Sequence, residues 1–146
     1  MRTETTEWDD GSRTTYSYDD AGNQIQTTYR DANGKITTDI HYEHDQSGYC
    51  IGWKVYDRQG VLAYRFEVDH FPSGLESETR EYDVGGNLAR REIYFYDAKG
   101  RMTETHYYDS TNVLRGKGIN ERDPDGALLA QRYFDLDGNA LDWPAA

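Results

Sequence analysis

The sequence predicts an all-β fold, an antiparallel meander of about ten strands joined by Asp-x-x-Gly hairpin turns. Three observations predict it. The turn motif recurs along the 146-residue chain at intervals of 12 or 14 residues. The segments between motifs are 8 or 10 residues long, which is a usual length for a strand. Gly or Asn interrupts the chain so often that no window remains for an amphipathic helix.

Each motif is typical of a three-residue hairpin loop with a bulge. Asp at the first position accepts the backbone N–H two residues on, and Gly at the fourth supplies a left-handed backbone. Asn112 replaces that Gly once, and the turn Asp69–Gly74 is predicted to be enlarged by two residues. The regular motifs, in chain order, are Asp19–Gly22, Asp31–Gly34, Asp45–Gly48, Asp57–Gly60, Asp83–Gly86, Asp97–Gly100, Asp123–Gly126 and Asp135–Gly138.

In such a loop, the residue before Asp is expected to lie opposite the residue two after Gly. Side chains alternate between faces with a period of two, so the even segment lengths predict that these positions share one face throughout. Charged residues in the middle of the strands have the same parity. They predict that this face is solvated or that it carries a cross-strand ladder of ion pairs. The predicted pairs are Tyr56–Leu62, Tyr82–Leu88, Tyr96–Met102 and Tyr108–Leu114, and the charges are Glu78, Arg80, Arg90, Glu92, Glu104 and Arg132.

Length and composition predict a single domain over residues 1–146 with little core. Ile, Leu, Val and Met total 21, against 13 Tyr, 4 Phe and 3 Trp. This balance favours a thin sheet whose apolar surface is mostly tyrosine. Two architectures remain open, a curled single-layer sheet and an up-and-down barrel.

The net charge and the targeting signals limit the classes of partner and the cellular location. A net charge of −11 disfavours nucleic acid and anionic membranes and favours a basic protein partner. No apolar run or secretory signal is present, and Cys50 is the single cysteine, so we expect a cytoplasmic protein without a disulfide. No cofactor motif is recognised, and Cys50 is interpreted as a small core residue.

Several turn units resemble the YD repeat of RHS-type proteins. They are Tyr56-Asp-Arg-Gln-Gly-Val-Leu62, Tyr82-Asp-Val-Gly-Gly-Asn-Leu88 and Tyr96-Asp-Ala-Lys-Gly-Arg-Met102, with Tyr18-Asp-Asp-Ala-Gly-Asn as a half unit. The likeness spans roughly residues 16–141. It implies a β-repeat scaffold of the kind that forms hollow shells around toxic domains. This chain is expected to be too short to close such a shell and to lack the toxin domain. No catalytic residue follows from the resemblance.

The histidines are the first candidates for acid–base or metal chemistry. His41 and His44 lie three apart, which on a strand puts them on opposite faces, so they are interpreted as a solvated strand end. His106 is expected to pair with a carboxylate on a neighbouring strand, and it anchors the hypothesis of an enzyme site assembled across strands.

Two departures from the repeat predict the binding surface. The enlarged turn exposes His70 and Phe71, and insertions in repeat arrays often lie on a binding face. The segment 49–56 reads as apolar on both faces, and its neighbour 61–68 is also apolar. Trp53, Tyr49, His70, Phe71 and Tyr64 are therefore the predicted binding residues.

The favoured function is binding without catalysis. The hypothesis is a protein-interaction module, and in its most specific form the immunity or accessory partner of an RHS-type secreted toxin. The alternatives are a carbohydrate or cell-surface binding module and the enzyme based on His106. The oligomeric state is not predicted.

Overall fold

The computed structural model describes residues 1–142, which form twelve β-strands. Within these residues, no helix offers the long apolar run needed to cross a membrane. The strands are β1 (Arg2–Glu7), β2 (Arg13–Tyr18), β3 (Gln24–Arg30), β4 (Ile36–His44), β5 (Cys50–Tyr56), β6 (Leu62–His70), β7 (Glu76–Asp83), β8 (Leu88–Tyr96), β9 (Met102–Tyr108), β10 (Leu114–Arg122), β11 (Leu128–Asp135) and β12 (Ala140–Leu141).

The strands form one antiparallel sheet in which the spatial order is the chain order, from β1 to β12. The predicted all-β meander is confirmed. The order runs from one edge strand to the other without closure, so the up-and-down barrel is excluded. The predicted pairs across the hairpins are also confirmed, as in Tyr56 opposite Leu62 and Tyr82 opposite Leu88.

One hairpin was missed because its loop does not begin with Asp. Trp8 donates its N–H to the carbonyl of Ser12 at 2.9 Å, and Gly11 donates to the carbonyl of Trp8 at 2.9 Å. Asp10, inside the loop, supplies the carboxylate that accepts the N–H of Ser12 at 2.9 Å. This loop joins β1 to β2 and adds one strand, and residues 1–142 contain twelve strands where about ten were predicted.

The regular turns have the predicted chemistry. In the turn at Asp57, the Asp57 N–H donates to the carbonyl of Val61 and the Gly60 N–H to that of Asp57, both at 2.9 Å. Oδ1 of Asp57 accepts the N–H groups of Gln59 at 2.8 Å and Val61 at 3.0 Å. Gly60 has a φ of 74°, which is the left-handed region that glycine tolerates best.

The prediction of an enlarged turn at Asp69–Gly74 was wrong. Phe71 donates its N–H to the carbonyl of Leu75 at 2.8 Å, and Gly74 donates to that of Phe71 at 2.9 Å. The loop is therefore of ordinary size, with Phe71 at the position usually held by Asp. The two extra residues, Asp69 and His70, extend strand β6 instead.

The prediction that the turn-flanking pairs share one face was also wrong. In eight hairpins, the strand that follows the turn contains one residue that has no partner on the preceding strand. This extra residue lies six positions after the first residue of the turn. Each such β-bulge reverses the side-chain alternation. Consequently the flanking pairs alternate: Tyr18 and His44 lie on one face, and Arg30 and Tyr56 lie on the other.

The chain divides into two units, Met1–Glu67 and Val68–Ala146. In the first unit, one face carries Tyr42, Trp53, Phe66 and Tyr64, and we call it the aromatic face. The opposite face carries Gln26, Asp39, His41 and Lys54, and we call it the polar face. The most buried side chains in this unit are Thr14, Thr27, Thr28 and Val55, so its core is small and partly polar.

Candidate functional site

Two of the predicted binding residues, Trp53 and Tyr64, meet on the aromatic face of the first unit. Trp53 stacks on Phe66 with ring centroids 4.5 Å apart and an interplanar angle of 26°. Tyr64 contacts Phe66 edge-on at 5.7 Å and 85°. Both arrangements are favourable for aromatic pairs. Contacts among β1 to β5 join consecutive strands.

The other three predicted residues lie elsewhere. Tyr49 is the last residue of the loop before β5 and is 41% exposed. His70 and Phe71 belong to the second unit, and Phe71 packs edge-on against Tyr96 with centroids 6.2 Å apart. Trp53 and Tyr64 therefore share an aromatic cluster, and Phe66 is its member that sequence reasoning missed.

Strand β5 is not apolar on both faces. The bulge at Ile51 places Cys50 on the same face as Trp53 and Val55, because Cys50 pairs with His44 and Trp53 with Tyr42. The opposite face of this strand carries Lys54 and Tyr56. The expected two-faced pattern arose from counting alternation through the bulge.

The polar face contains a carboxylate–histidine pair that sequence reasoning passed over. Asp39 Oδ2 and His41 Nε2 are 2.8 Å apart. The same carboxylate accepts hydrogen bonds from Thr28 Oγ1 at 2.7 Å and from Gln26 Nε2 at 2.9 and 3.0 Å. The ring of His41 lies against that of Tyr56, with centroids 5.0 Å apart. His41 is therefore a positioned but exposed residue within β4, and His44 is the last residue of that strand.

The electrostatics of this pair follow from the donors around Asp39. Burial raises the pKa of Asp39, but the hydrogen bonds from Gln26, Thr28 and His41 outweigh burial and hold the pKa below its usual value. A carboxylate can only accept, so His41 Nε2 must carry the proton that joins them. In the neutral ring, Nδ1 is then left as a hydrogen-bond acceptor.

The pair opens into a cleft of about 500 Å³, which is within the size range of small-molecule sites. Ile36 and Tyr56 give it apolar walls, and the turn Asp57–Gly60 forms its rim. Arg58 on this rim is exposed, and its guanidinium has no hydrogen-bond or ion-pair partner within residues 1–142. An unpaired cation thus lines the same cleft as a positioned imidazole.

The second unit repeats the arrangement. His106 Nε2 lies 2.6 Å from Oε1 of Glu104, two residues earlier on the same strand, and not beside a carboxylate of a neighbouring strand as predicted. Phe95, directly opposite Glu104, places its ring 4.6 Å from that of His106. The pair lines a depression of about 210 Å³ together with Lys117 and Asp135.

A cross-strand ion network occupies the same face of the second unit as His106. Glu78 pairs with Arg91 at 2.6 Å and with Arg80 at 2.8 Å, and Arg80 also pairs with Asp69 at 2.7 Å. The expected ladder of ion pairs thus exists, but some of its residues differ from those predicted. Arg91 replaces the predicted Arg90, which faces the other side because of the bulge at Ala89.

Comparison with known proteins adds a family assignment for one part of the chain. The family model of the RHS repeat matches residues 3–36, which comprise β1, β2, β3 and the start of β4. Residues 3–36 are therefore similar to an RHS repeat. The resemblance inferred from the turn units is confirmed there. No curated protein matches the sequence.

Several solved structures are similar to the chain. The Tc holotoxin pore of Photorhabdus luminescens matches 90% of this chain at 13% identity and a TM-score of 0.33. The TcdB2-TccC3 crystal structure matches 93% at 15% identity and a TM-score of 0.36. A protein of unknown function from Bacteroides fragilis matches 94% of this chain and 96% of its own, at 14% identity and a TM-score of 0.43. The chain spans only 12% and 11% of the two toxin chains.

Proposed function

We propose that this chain is a non-catalytic protein-binding module whose partner docks on the aromatic face of its first unit. The observation that carries the proposal is the cluster of Trp53, Phe66 and Tyr64. Tyr64 is 38% exposed. Clustered aromatic side chains that stay partly exposed are typical of binding hot spots.

The partner is proposed to be a basic protein with an aliphatic or aromatic side chain that inserts beside Tyr64. The net charge of −11 attracts a basic surface and accelerates encounter, while the apolar contact supplies affinity. In its most specific form, the partner is an RHS-type secreted toxin and the chain is its cytoplasmic immunity or accessory protein. The RHS repeat at residues 3–36 supports this form by association alone.

The test uses a purified candidate toxin whose gene neighbours that of this chain. Titration calorimetry should detect binding to the wild type and a loss of about tenfold or more for Tyr64→Ala. Phe95→Ala is the matched control, because Phe95 is 42% exposed but lies in the second unit. Co-expression should restore growth of cells that produce the toxin.

Equal binding by the wild type and Tyr64→Ala would contradict the proposed face. A glycan-array signal that disappears in Trp53→Ala would instead favour the carbohydrate-binding alternative.

A second candidate function, an enzyme, is favoured by the depression at Glu104 and His106. A carboxylate held 2.6 Å from an imidazole can orient it as a general base, and Lys117, whose Nζ is 3.7 Å from the same carboxylate, places a cation in the depression. The test is a screen of ester and glycoside substrates with the wild type and His106→Gln. Turnover that the variant abolishes would establish this candidate, and equal rates would refute it.

A further inference from the structure

The Asp39–His41 cleft presents two groups that its own architecture leaves available. Oδ1 of Asp39 accepts from Gln26 and Thr28, and Oδ2 accepts from Gln26 and His41, so that carboxylate is saturated by internal donors. Oδ1 of the second carboxylate on the cleft, Asp57, accepts the amides of Gln59 and Val61 in its own turn.

The available groups are the imidazole Nδ1 of His41 and the guanidinium of Arg58. Asp39 accepts the Nε2 proton of His41, so Nδ1 of the ring, when neutral, can accept a hydrogen bond from a ligand hydroxyl. Arg58 has no partner in the described part of the chain, and a guanidinium fork matches the planar geometry of a carboxylate. The imidazole and the guanidinium would therefore bind different groups of one ligand, a hydroxyl and a carboxylate.

The walls of the cleft define the body of that ligand. Ile36 and the ring of Tyr56 line it beside His41, and the imidazole lies against that ring at 5.0 Å. A flat or cyclic body can pack on these surfaces while its polar groups reach the rim. The volume of about 500 Å³ accommodates a ring with a short substituent.

We propose that the Asp39–His41 cleft binds a small hydroxylated carboxylate, with its carboxylate on Arg58, its hydroxyl donating to His41 Nδ1, and its body against Ile36 and Tyr56. The site lies on the polar face and is distinct from the aromatic cluster proposed to bind protein. Two sources offer this chemistry, an aromatic hydroxy acid and an acidic sugar.

The experiment titrates the full chain with defined probes, 3-phenyllactate for the aromatic source and D-glucuronate for the sugar. Binding is followed by NMR shifts of the Arg58 Nε–H and the His41 and Tyr56 ring signals. We expect saturable shifts with a Kd below about 10 mM for at least one probe. The neutral counterparts, 3-phenyllactamide and D-glucose, should bind at least about tenfold more weakly, since they lack the charge that pairs with Arg58.

Two variants divide the contributions. Arg58→Gln removes the cation from an exposed turn and should weaken binding of the carboxylate probe about tenfold, to the level of the neutral counterpart. Lys99→Gln is the matched control, because it removes an exposed turn cation of the second unit. His41→Phe keeps an aromatic ring and should abolish the preference for 3-phenyllactate over 3-phenylpropionate, which lacks the hydroxyl.

Absence of binding below about 10 mM for both acids would overturn the proposal. So would equal affinity of acid and neutral counterpart, or unchanged binding in Arg58→Gln. Binding of glucuronate alone would assign an acidic sugar, and binding of phenyllactate alone would assign an aromatic acid.

Discussion

Arg91 donates a hydrogen bond from Nη1 to Oδ1 of Asn112 at 3.1 Å, and Asn112 occupies the turn position that Gly holds elsewhere. Its φ is 60°, the only positive value among the non-glycine residues described in this chain. The contact explains why the turn Asp109–Asn112 departs from the repeat. An asparagine tolerates the left-handed backbone and also supplies an acceptor that Gly lacks.

The first prediction concerns this position. Asn112→Ala keeps a side chain in the left-handed region and loses the acceptor, so we expect the free energy of unfolding to fall by about 1–2 kcal/mol. Asn112→Gly relieves the backbone but also loses the contact with Arg91, so it should stay within about 0.5 kcal/mol of the wild type. Urea denaturation measures both. If Ala is tolerated as well as Gly, the backbone explanation fails.

A second prediction follows from close approaches at two strand glycines. A Cβ added at Gly52 would lie 2.5 Å from the carbonyl oxygen of Phe66, and one at Gly116 would lie 2.4 Å from that of Phe134. Backbone must shift to admit it, so either Ala variant should lose about 1–3 kcal/mol. The control is Gly85→Ala, where the nearest atom is the flexible amide of Asn87 at 3.0 Å. A loss at Gly85 equal to that at Gly52 would contradict this account.

The turns and the meander were predictable, but the faces of the strands were not. The prediction of hairpins rests on local chemistry, Asp and Gly at a fixed spacing, and the structure preserves it at Asp57–Gly60. The bulge leaves no residue signature: Ile51, Ala63 and Arg115 all occupy it. Alternation counted through it therefore put Trp53 and Cys50 on opposite faces.

The candidate site was missed for the same reason. Asp39 and His41 stand two apart on β4, and this spacing alone predicts only a shared face. Their donors and their aromatic neighbour come from β3 and β5, and the register of those strands depends on the bulges at Thr37 and Ile51. The turn motif also placed the start of one loop wrongly. The loop begins at Phe71, but the motif predicted its start at the Asp two residues earlier.

The third prediction tests the ion network of the second unit. Arg91 holds Glu78 through two bonds, Nε to Oε1 at 2.6 Å and Nη2 to Oε2 at 3.2 Å, and its guanidinium lies 4.9 Å from the centre of the Tyr108 ring. Lysine cannot reproduce this fork, so Arg91→Lys should lose about 1–2 kcal/mol in urea denaturation.

Arg90→Lys is the matched control for that variant. Arg90 pairs with Glu81 at 2.6 Å on the opposite face, and its side chain is 44% exposed. An exposed pair contributes little, so we expect a loss below about 0.5 kcal/mol. The two losses would be equal if charge alone, and not the fork geometry, set the stability of the network.

The fourth prediction is a pH dependence at Asp39. Burial raises the pKa of this carboxyl, and the stronger effect of its hydrogen bonds leaves the folded-state pKa below the usual value of 3.8. The group therefore stabilises the folded chain above the unfolded-state pKa, and this stabilisation is lost as the pH falls through the folded-state pKa. The affected window lies below about pH 5.

Asp39→Asn isolates this contribution from those of the other carboxylates. The side-chain oxygen of asparagine can still accept the hydrogen bond from Thr28. Its amide nitrogen cannot accept the hydrogen bond from His41. We expect Asp39→Asn to be about 1–2 kcal/mol less stable than the wild type at pH 7. The difference should shrink as the pH falls from about 5 to 3, because the wild-type carboxylate is then being protonated. Asp125→Asn, in an exposed turn, controls for the loss of one negative charge. A stability difference between wild type and variant that stays constant over this pH range would contradict the prediction. It would mean that the hydrogen bonds to Asp39 do not stabilise its ionised form.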